Sequence, residues 1–410
     1  MQIDDPGVPY ELADDATDDP QAAIEAPSEL LGFIRERVDH IRYTYRGRAG
    51  NRVELTKRTT RRRPRGDHPP ASEPIDPDQP VEVRPMVEAD SIPFVRNVYR
   101  SFGYTYAGEW AYRAEDVQHL LESGVLTAWV AATEDGAIVG HAAITRDPPG
   151  AKLGEGGAAV VDPAFRHHGI AGKLGLAALE WTQQEELFGL YALATTRHPH
   201  SQRAVLDLGG RELGLLLDYI PASTTYREFD EAGDSRSPVM VMYLGLGPSP
   251  VHDVHAPPRH RDVLSRIYEA CQLNGRFVEA DEHLEPSGHT RMGVSIQTDR
   301  DLAKLDITRV GADFADAARR QLDQLERGGI ANAYVDLPLS LPETPSAYDE
   351  LEQLGLSFAG VFPRADDSGW RLRLQYLRPE KAIARDEINV ASDFGSALRD
   401  YVLDPPTAGS

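Results

Sequence analysis

The chain has 410 residues, with 65 acidic against 43 basic side chains and a formal net charge of −22. That length allows two or three hydrophobic cores, and that charge excludes nonspecific nucleic-acid or anionic-membrane binding by the chain as a whole. The single Cys271 excludes an internal disulfide framework and a cysteine-based zinc site, and no run nears the roughly 18 apolar residues of a membrane span.

In chain order, the turn-rich opening through Asp5-Pro6-Gly7 has no basic or apolar signal region, so a cytoplasmic location is expected. Leu30, Leu31, Phe33, Ile34 and Val38 have helical spacing. Residues 41–45 and 52–56 alternate like the strands of a hairpin that turns between Gly47 and Gly50. This order in residues 1–58 resembles the second half of the ATP-binding domain of serine-kinase anti-sigma factors, with Asp5-Pro6-Gly7 as the Asp-x-Gly box. The resemblance implies a partial ATPase-type segment and a possible protein partner for it. Two departures stand against ATP binding. The half that carries the magnesium-holding helix is absent, and the glycine phosphate loop has become Ser28-Glu29-Leu30-Leu31-Gly32. The other reading is a small α/β appendage that caps the next domain. Residues 59–80 form a basic, proline-rich linker; its arginines have no aromatic residues between them, which favours a solvated run over an RNA site.

From Val81 a new domain begins. Residues 81–86 form a strand, and Ile92, Phe94, Val95 and Val98 mark a helix. Residues 126–132 and 138–144 form a hairpin turned at Glu134-Asp135-Gly136-Ala137. Residues 155–161 form a buried strand that Asp162-Pro163 ends, because proline donates no ladder hydrogen bond. After Arg166-His167-His168-Gly169-Ile170-Ala171 a helix starts, with Leu174, Ala177, Ala178 and Trp181 as its apolar stripe. Strand 190–194, helix 201–208 and strands 213–220 and 239–244 complete the unit.

A glycine loop between a strand and a helix start presents free backbone N–H groups and the positive end of the helix dipole to an anion. Arg166-x-x-Gly169-x-Ala171 in that place resembles the pyrophosphate loop of the GNAT acetyltransferases, and the element order of residues 81–246 is similar to a whole GNAT domain. The resemblance implies an α/β (α+β) fold with a mixed sheet flanked by helices, acetyl-CoA as co-substrate, and transfer of acetyl to a primary amine. It also implies that Val160, Val161, Arg166, His167, His168, Gly169, Ile170, Ala171, Lys173 and His198 hold the cofactor. Glu155 would be the base, although an exposed strand-end acid is the plain alternative. The family's acid tyrosine is replaced by Val205, so either Tyr191 or Ser201 takes that role or the thiolate leaves without a dedicated acid. His141 on the preceding strand is an alternative base, though a buried neutral histidine is the better explanation of it. His198 and His200 lack a third clustered ligand, so no metal is expected.

Residues 250–385 repeat the later elements: helix 315–326, strand 333–337, helix 346–354 and strands 358–362 and 370–376. Arg309-Val310-Gly311-Ala312-Asp313 lacks the loop spacing and places an acid where phosphate would sit. This resembles a degenerate second GNAT-like domain, followed by a weakly patterned tail at 386–410 that is expected to fray. The alternative function is a non-catalytic regulator that senses an acyl-CoA and meets a protein through residues 1–58.

Overall fold

The computed structural model describes residues 2–5, 38, 40–45, 51–57, 75, 76, 79–106, 108–166, 168–221, 224, 236–279, 285–297, 302–330, 332–364, 369–377 and 385–405. The expected helix around residues 30–37, the Ser28–Gly32 loop, the turn at 46–50 and most of the linker lie outside them.

Strands β1 (Gln2–Asp5), β2 (His40–Tyr45) and β3 (Asn51–Thr56) come first. The first half then runs β4 (Val81–Pro85), α1 (Ser91–Phe102), α2 (Ala114–Glu122), β5 (Leu126–Thr133), β6 (Ile138–Thr145) and β7 (Leu153–Val161). It continues with α3 (Ile170–Gln184), β8 (Gly189–Thr195), α4 (His200–Asp207), β9 (Arg211–Ile220) and β10 (Ser237–Gly245). The second half opens with β11 (His252–Val254), α5 (Arg261–Ala270) and β12 (Gly275–Phe277). It proceeds through β13 (Arg291–Gln297), β14 (Leu302–Arg309), α6 (Phe314–Arg327), β15 (Asn332–Pro338), α7 (Thr344–Gln353), β16 (Ser357–Phe362) and β17 (Arg371–Leu377), and ends in α8 (Asp393–Leu403).

Among the described residues all but β11 and β12 join one sheet of 15 strands, ordered β1-β3-β2-β13-β14-β15-β17-β16-β9-β10-β8-β7-β6-β5-β4. The run β6-β7-β8-β10-β9 is repeated as β13-β14-β15-β17-β16, and each neighbouring pair keeps the same sense: antiparallel, parallel, antiparallel, antiparallel. The repetition begins earlier than the expected one, because β13 and β14 precede α6. Neither these strands nor α2 and α5 were anticipated.

The two runs meet where β9 pairs with β16 at Gly214↔Gly360. A Cβ on Gly214 would stand 2.5 Å from the Ala359 carbonyl oxygen, and Gly360 has φ +127°, a region open to glycine at no steric cost. Around that contact Tyr334 Oη donates to the Leu217 carbonyl at 2.5 Å and the Leu217 N–H donates to Gln375 Oε1 at 2.9 Å. One apolar core runs through the junction, from Leu213, Leu215 and Tyr243 to Phe358, Val361 and Leu372. Fully buried side chains of this size contribute about 1.5–3 kcal/mol each, so the halves share their stabilising contacts.

Two expectations fail. The N-terminal hairpin does not cap the domain that follows it. β2 pairs antiparallel with β13, Ile41↔Ile296 to Tyr43↔Val294, and so extends the sheet of the second half. That placement gives no support to an ATPase-type remnant. Nor is the tail after Arg385 unstructured through its length. Ser392 caps α8 by accepting from the Gly395 N–H at 2.8 Å, and Ile388, Leu398 and Val402 are buried. Short apolar spacing hides such a helix in the sequence, because its face is set by the partner it meets.

Candidate active site

The parallel pair β7/β8 holds register for three residues, Leu153↔Gly189, Gly154↔Leu190 and Glu155↔Tyr191. Beyond Glu155 the two strands part: β7 continues to Val161 against β6, and β8 to Thr195 against β10. A bulge sharpens the split. His141 pairs with Val160 and Ala143 with Gly157, so Ala158 and Ala159 have no partners of their own, and Ala158 takes φ +45°. The result is a slot between parallel strands, lined by backbone.

At the apex of the slot Tyr191 Oη donates to Glu155 Oε2 at 3.0 Å. A Cβ on Gly154 would touch Ile144 and Leu190, which pack with the α3 side of the sheet. Side chains alternate along a strand, so Glu155 and Tyr191 occupy the opposite face, the one α1 covers. Burial first, then the Glu155 carboxylate, push the Tyr191 hydroxyl well above its ordinary range. Of the three expected catalytic residues, these two are brought together. Ser201 lies in the first turn of α4, its Oγ buried and without a hydrogen-bond partner among the described residues.

Below the slot, Gly169 sits at the N-cap of α3 with φ +72° and ψ 8°, and no side chain caps the helix. A Cβ there would meet nothing within 4 Å. Ile170 and Leu174 are buried and seat the helix, while Ala171 and Lys173 are exposed beside its free first-turn N–H groups. His168 Nδ1–H donates to the Arg166 carbonyl at 2.8 Å, which closes the loop. Arg166 is half-buried; His167 lies outside the described residues. Val160 is buried and Val161 half-buried, and both are in the β6 ladder. His198, just past β8, is half-buried against His200 with ring centroids 5.1 Å apart. Burial, then His200, hold it below the ordinary histidine range.

A buried polar network fixes the loop's origin. Arg100 Nε on α1 contacts Asp162 Oδ2 at 2.5 Å, and Asp162 Oδ1 accepts from the Ala164 N–H at 3.1 Å. Arg100 also donates to the Ile138 carbonyl. Asn97 donates to His141 Nδ1 at 2.9 Å, and His141 lies against Phe94 with centroids 4.0 Å apart. Burial, with Arg100 adding, lowers His141 to about 3, so it is a neutral core histidine and not a base. Arg100 was not anticipated: its partner lies 62 positions away and no spacing links them. Among the described residues no group of three or more His, Cys, Asp or Glu could hold a metal. No helix described is long and apolar enough to cross a membrane.

The corresponding place in the second half is closed. β14 and β15 stay paired for five residues, Leu302↔Asn332 to Asp306↔Asp336. Asp306 contacts Arg364 and approaches Arg371 at 3.8 Å, and Asp336 takes Arg373 in two hydrogen bonds of 2.6 Å. At the N-cap of α6 stands Asp313, whose carboxylate accepts from the Thr290 N–H at 2.7 Å and from His289 at 3.1 Å. Burial raises the Asp313 pKa, but those hydrogen bonds outweigh it and hold it at about 2.

Residues 93–208 match the model of the acetyltransferase (GNAT) family. Similar solved structures include an acetyltransferase of the GNAT family from Staphylococcus aureus Mu50, at 19% identity, covering 41% of this chain and 99% of that one with a TM-score of 0.30. A GCN5-related N-acetyltransferase from Kribbella flavida aligns at 20% identity over 40% of this chain and 98% of its own, TM-score 0.32. The ribosomal-protein-S18-alanine N-acetyltransferase from Escherichia coli aligns at 13% identity over 42% and 96%, TM-score 0.33. No curated protein matches the chain. The parted strands, the uncapped helix and the family match fall on the same stretch of sequence, and the chain carries a GNAT acetyltransferase domain over residues 93–208.

Proposed function

We propose that this protein transfers an acetyl group from acetyl-CoA to a primary amine, on a protein lysine or a small molecule. The observation that carries the reading is the Glu155–Tyr191 hydrogen bond at the point where β7 and β8 part. The residues present fit the co-substrate. The slot offers unpaired backbone for an extended arm, and the open N-terminus of α3 suits a pyrophosphate. The thioester it brings supplies the acetyl carbon that the amine nitrogen attacks. The chain's own residues do the rest. Backbone N–H groups past the bulge, at Ala159 to Val161, polarise the carbonyl. Glu155 takes the proton that the amine loses, directly or through one water. Tyr191 is a poor acid for a leaving thiolate, because its hydroxyl is held well above its ordinary range; it serves instead as a donor that orients the Glu155 carboxylate. Arg166 and Lys173 add positive charge near the loop.

The second half is read here as a GNAT-like repeat that has lost its site. Its matching strand order supports common architecture, while the ion pairs of Asp306 and Asp336 and the acid at the N-cap of α6 oppose co-substrate entry.

Release of CoA thiol from acetyl-CoA with a panel of amines tests the transfer. Glu155→Gln is expected to lower kcat by about 10²–10⁴-fold while acetyl-CoA affinity is kept. The loss should shrink at high pH, where the amine deprotonates unaided. An unchanged kcat rejects Glu155 as the base.

A further inference from the structure

On the face that carries Glu155 and Tyr191, a neighbour of Tyr191 comes from the other end of the chain. The Tyr191 ring stands edge-on to Phe362, the last residue of β16, with centroids 5.6 Å apart and planes at 64°. The Arg373 guanidinium lies over that Phe362 ring, 3.2 Å from its centroid. Arg373 is only 2% exposed, and Asp336 grips it at both Nε and Nη2. A planar fork held at two points cannot swing, and a cation over a half-buried ring holds that ring in turn.

We infer that Phe362, seated by the Arg373–Asp336 pair, is a positioning residue for the Glu155–Tyr191 hydrogen bond, so that the second half walls the amine side of the transfer site. This rests on the reading of Glu155 as the base. A tyrosine ring has a broad, roughly two-fold second torsion. Its hydroxyl therefore sweeps a wide arc unless a neighbour confines the ring. Phe362 is the one aromatic ring recorded against Tyr191 among the described residues. The Arg373–Asp336 pair of the second half thereby acquires a task in the first.

The test uses the full chain, acetyl-CoA and the best amine of the panel. Phe362→Ala is expected to lower kcat about ten- to a hundredfold, as for a small misplacement of a reacting group. Acetyl-CoA affinity by calorimetry should match the parent's, since the loop is untouched. KM for the amine should change by less than kcat, because what is lost is the aim of the base and not the binding of substrate. Phe362→Tyr keeps the ring and should restore the rate. If the alanine variant folds poorly, Phe362→Leu fills the volume without an aromatic edge and should give the same shifts. A parent-like rate in Phe362→Ala or Phe362→Leu overturns the inference, as does a loss that falls on KM alone or a tyrosine variant that is equally slow. If Glu155→Gln is slow and Phe362→Ala is not, the wall alone fails. If Glu155→Gln is as fast as the parent, the base assignment fails first and the wall with it.

Discussion

The two halves follow one strand order and differ at three corresponding points. In the first, the residue beside Tyr191 in the parallel ladder is Glu155; in the second, the residue beside Tyr334 is Lys304. The first ladder opens after three pairs, the second after five. The first helix begins at a bare glycine with positive φ, the second at an aspartate already engaged by Thr290 and His289. The shared order shows that the sheet tolerates wide sequence change. On the proposed reading, the three differences are a base, an opening and an uncapped helix, present in the first half and missing from the second.

The most severe way to break that contrast is to give the first half the second half's acid. Gly169→Glu places a like charge at the phosphate position and a side chain in a left-handed backbone position. Losing two charge-assisted hydrogen bonds, at about 1.5–3 kcal/mol each, weakens acetyl-CoA binding by roughly two to four decades. The exposed loop leaves the fold intact. Calorimetry that shows parent-like affinity rejects the anion-site reading.

The junction gives the next effect. Gly360→Ala adds a Cβ at φ +127°, aimed into the Gly214 backbone. The strain should cost about 1–3 kcal/mol. Because one core crosses the junction, the variant should still unfold in a single transition at lower denaturant. Two separate transitions would show that the halves are independent units.

Among the described residues each half also buries one neutral histidine completely. His141 and His260 are both lowered to about 3, mainly by burial, with Arg100 and Arg259 adding. Unfolded imidazole takes a proton near 6.5, while the folded groups refuse one until about 3. Their contribution is therefore complete above about pH 6.5 and is lost as pH falls toward 3. His260 packs on Phe358 and Tyr348, and its Nδ1 shares a hydrogen bond of 2.7 Å with Tyr401 Oη, which also donates to the Arg259 carbonyl at 3.2 Å. His260→Phe keeps the ring contacts and leaves Tyr401 that carbonyl, so it should be tolerated. It should recover about 2 kcal/mol of the stability the parent loses between pH 6.5 and 5. Denaturant titrations at both pH values decide it; equal acid loss in parent and variant would assign the sensitivity elsewhere.

What the sequence disclosed follows from the range of the contacts involved. Local signals carry the first half: the Asp162-Pro163 stop, Gly169 and the stripe at Leu174 and Trp181 state their roles within a few residues. Glu155 and Tyr191 were separately legible, and the hydrogen bond between them was not. The helix at Asp393–Leu403 and the edge strand β13 took their form from distant partners. Phe362 touches Tyr191 across a junction that neither stretch encodes alone. The hairpin was read correctly as a hairpin, and its neighbour was misjudged because proximity in sequence stood in for proximity in space.

That placement bears on how the protein is made. Ile41 waits for Ile296. At about 5–20 residues per second of synthesis, the hairpin stands without its partner strand for roughly 10–50 s. An isolated two-stranded ribbon is marginal in water, whereas the strands and helices between Val81 and Gly245 can condense on local contacts as they emerge. The ladder between β2 and β13 is then among the last to close, with the high contact order that slows folding. Until it does, β13 offers unpaired backbone to any passing strand. Segment 57–80 meanwhile joins β3, one strand in from one end of the sheet, to β4 at the other end, about 60 Å when followed along the sheet at ~4.8 Å per strand. Its full reach is roughly 80 Å at ~3.3–3.6 Å per residue, so its length matches the span it has to bridge with little to spare.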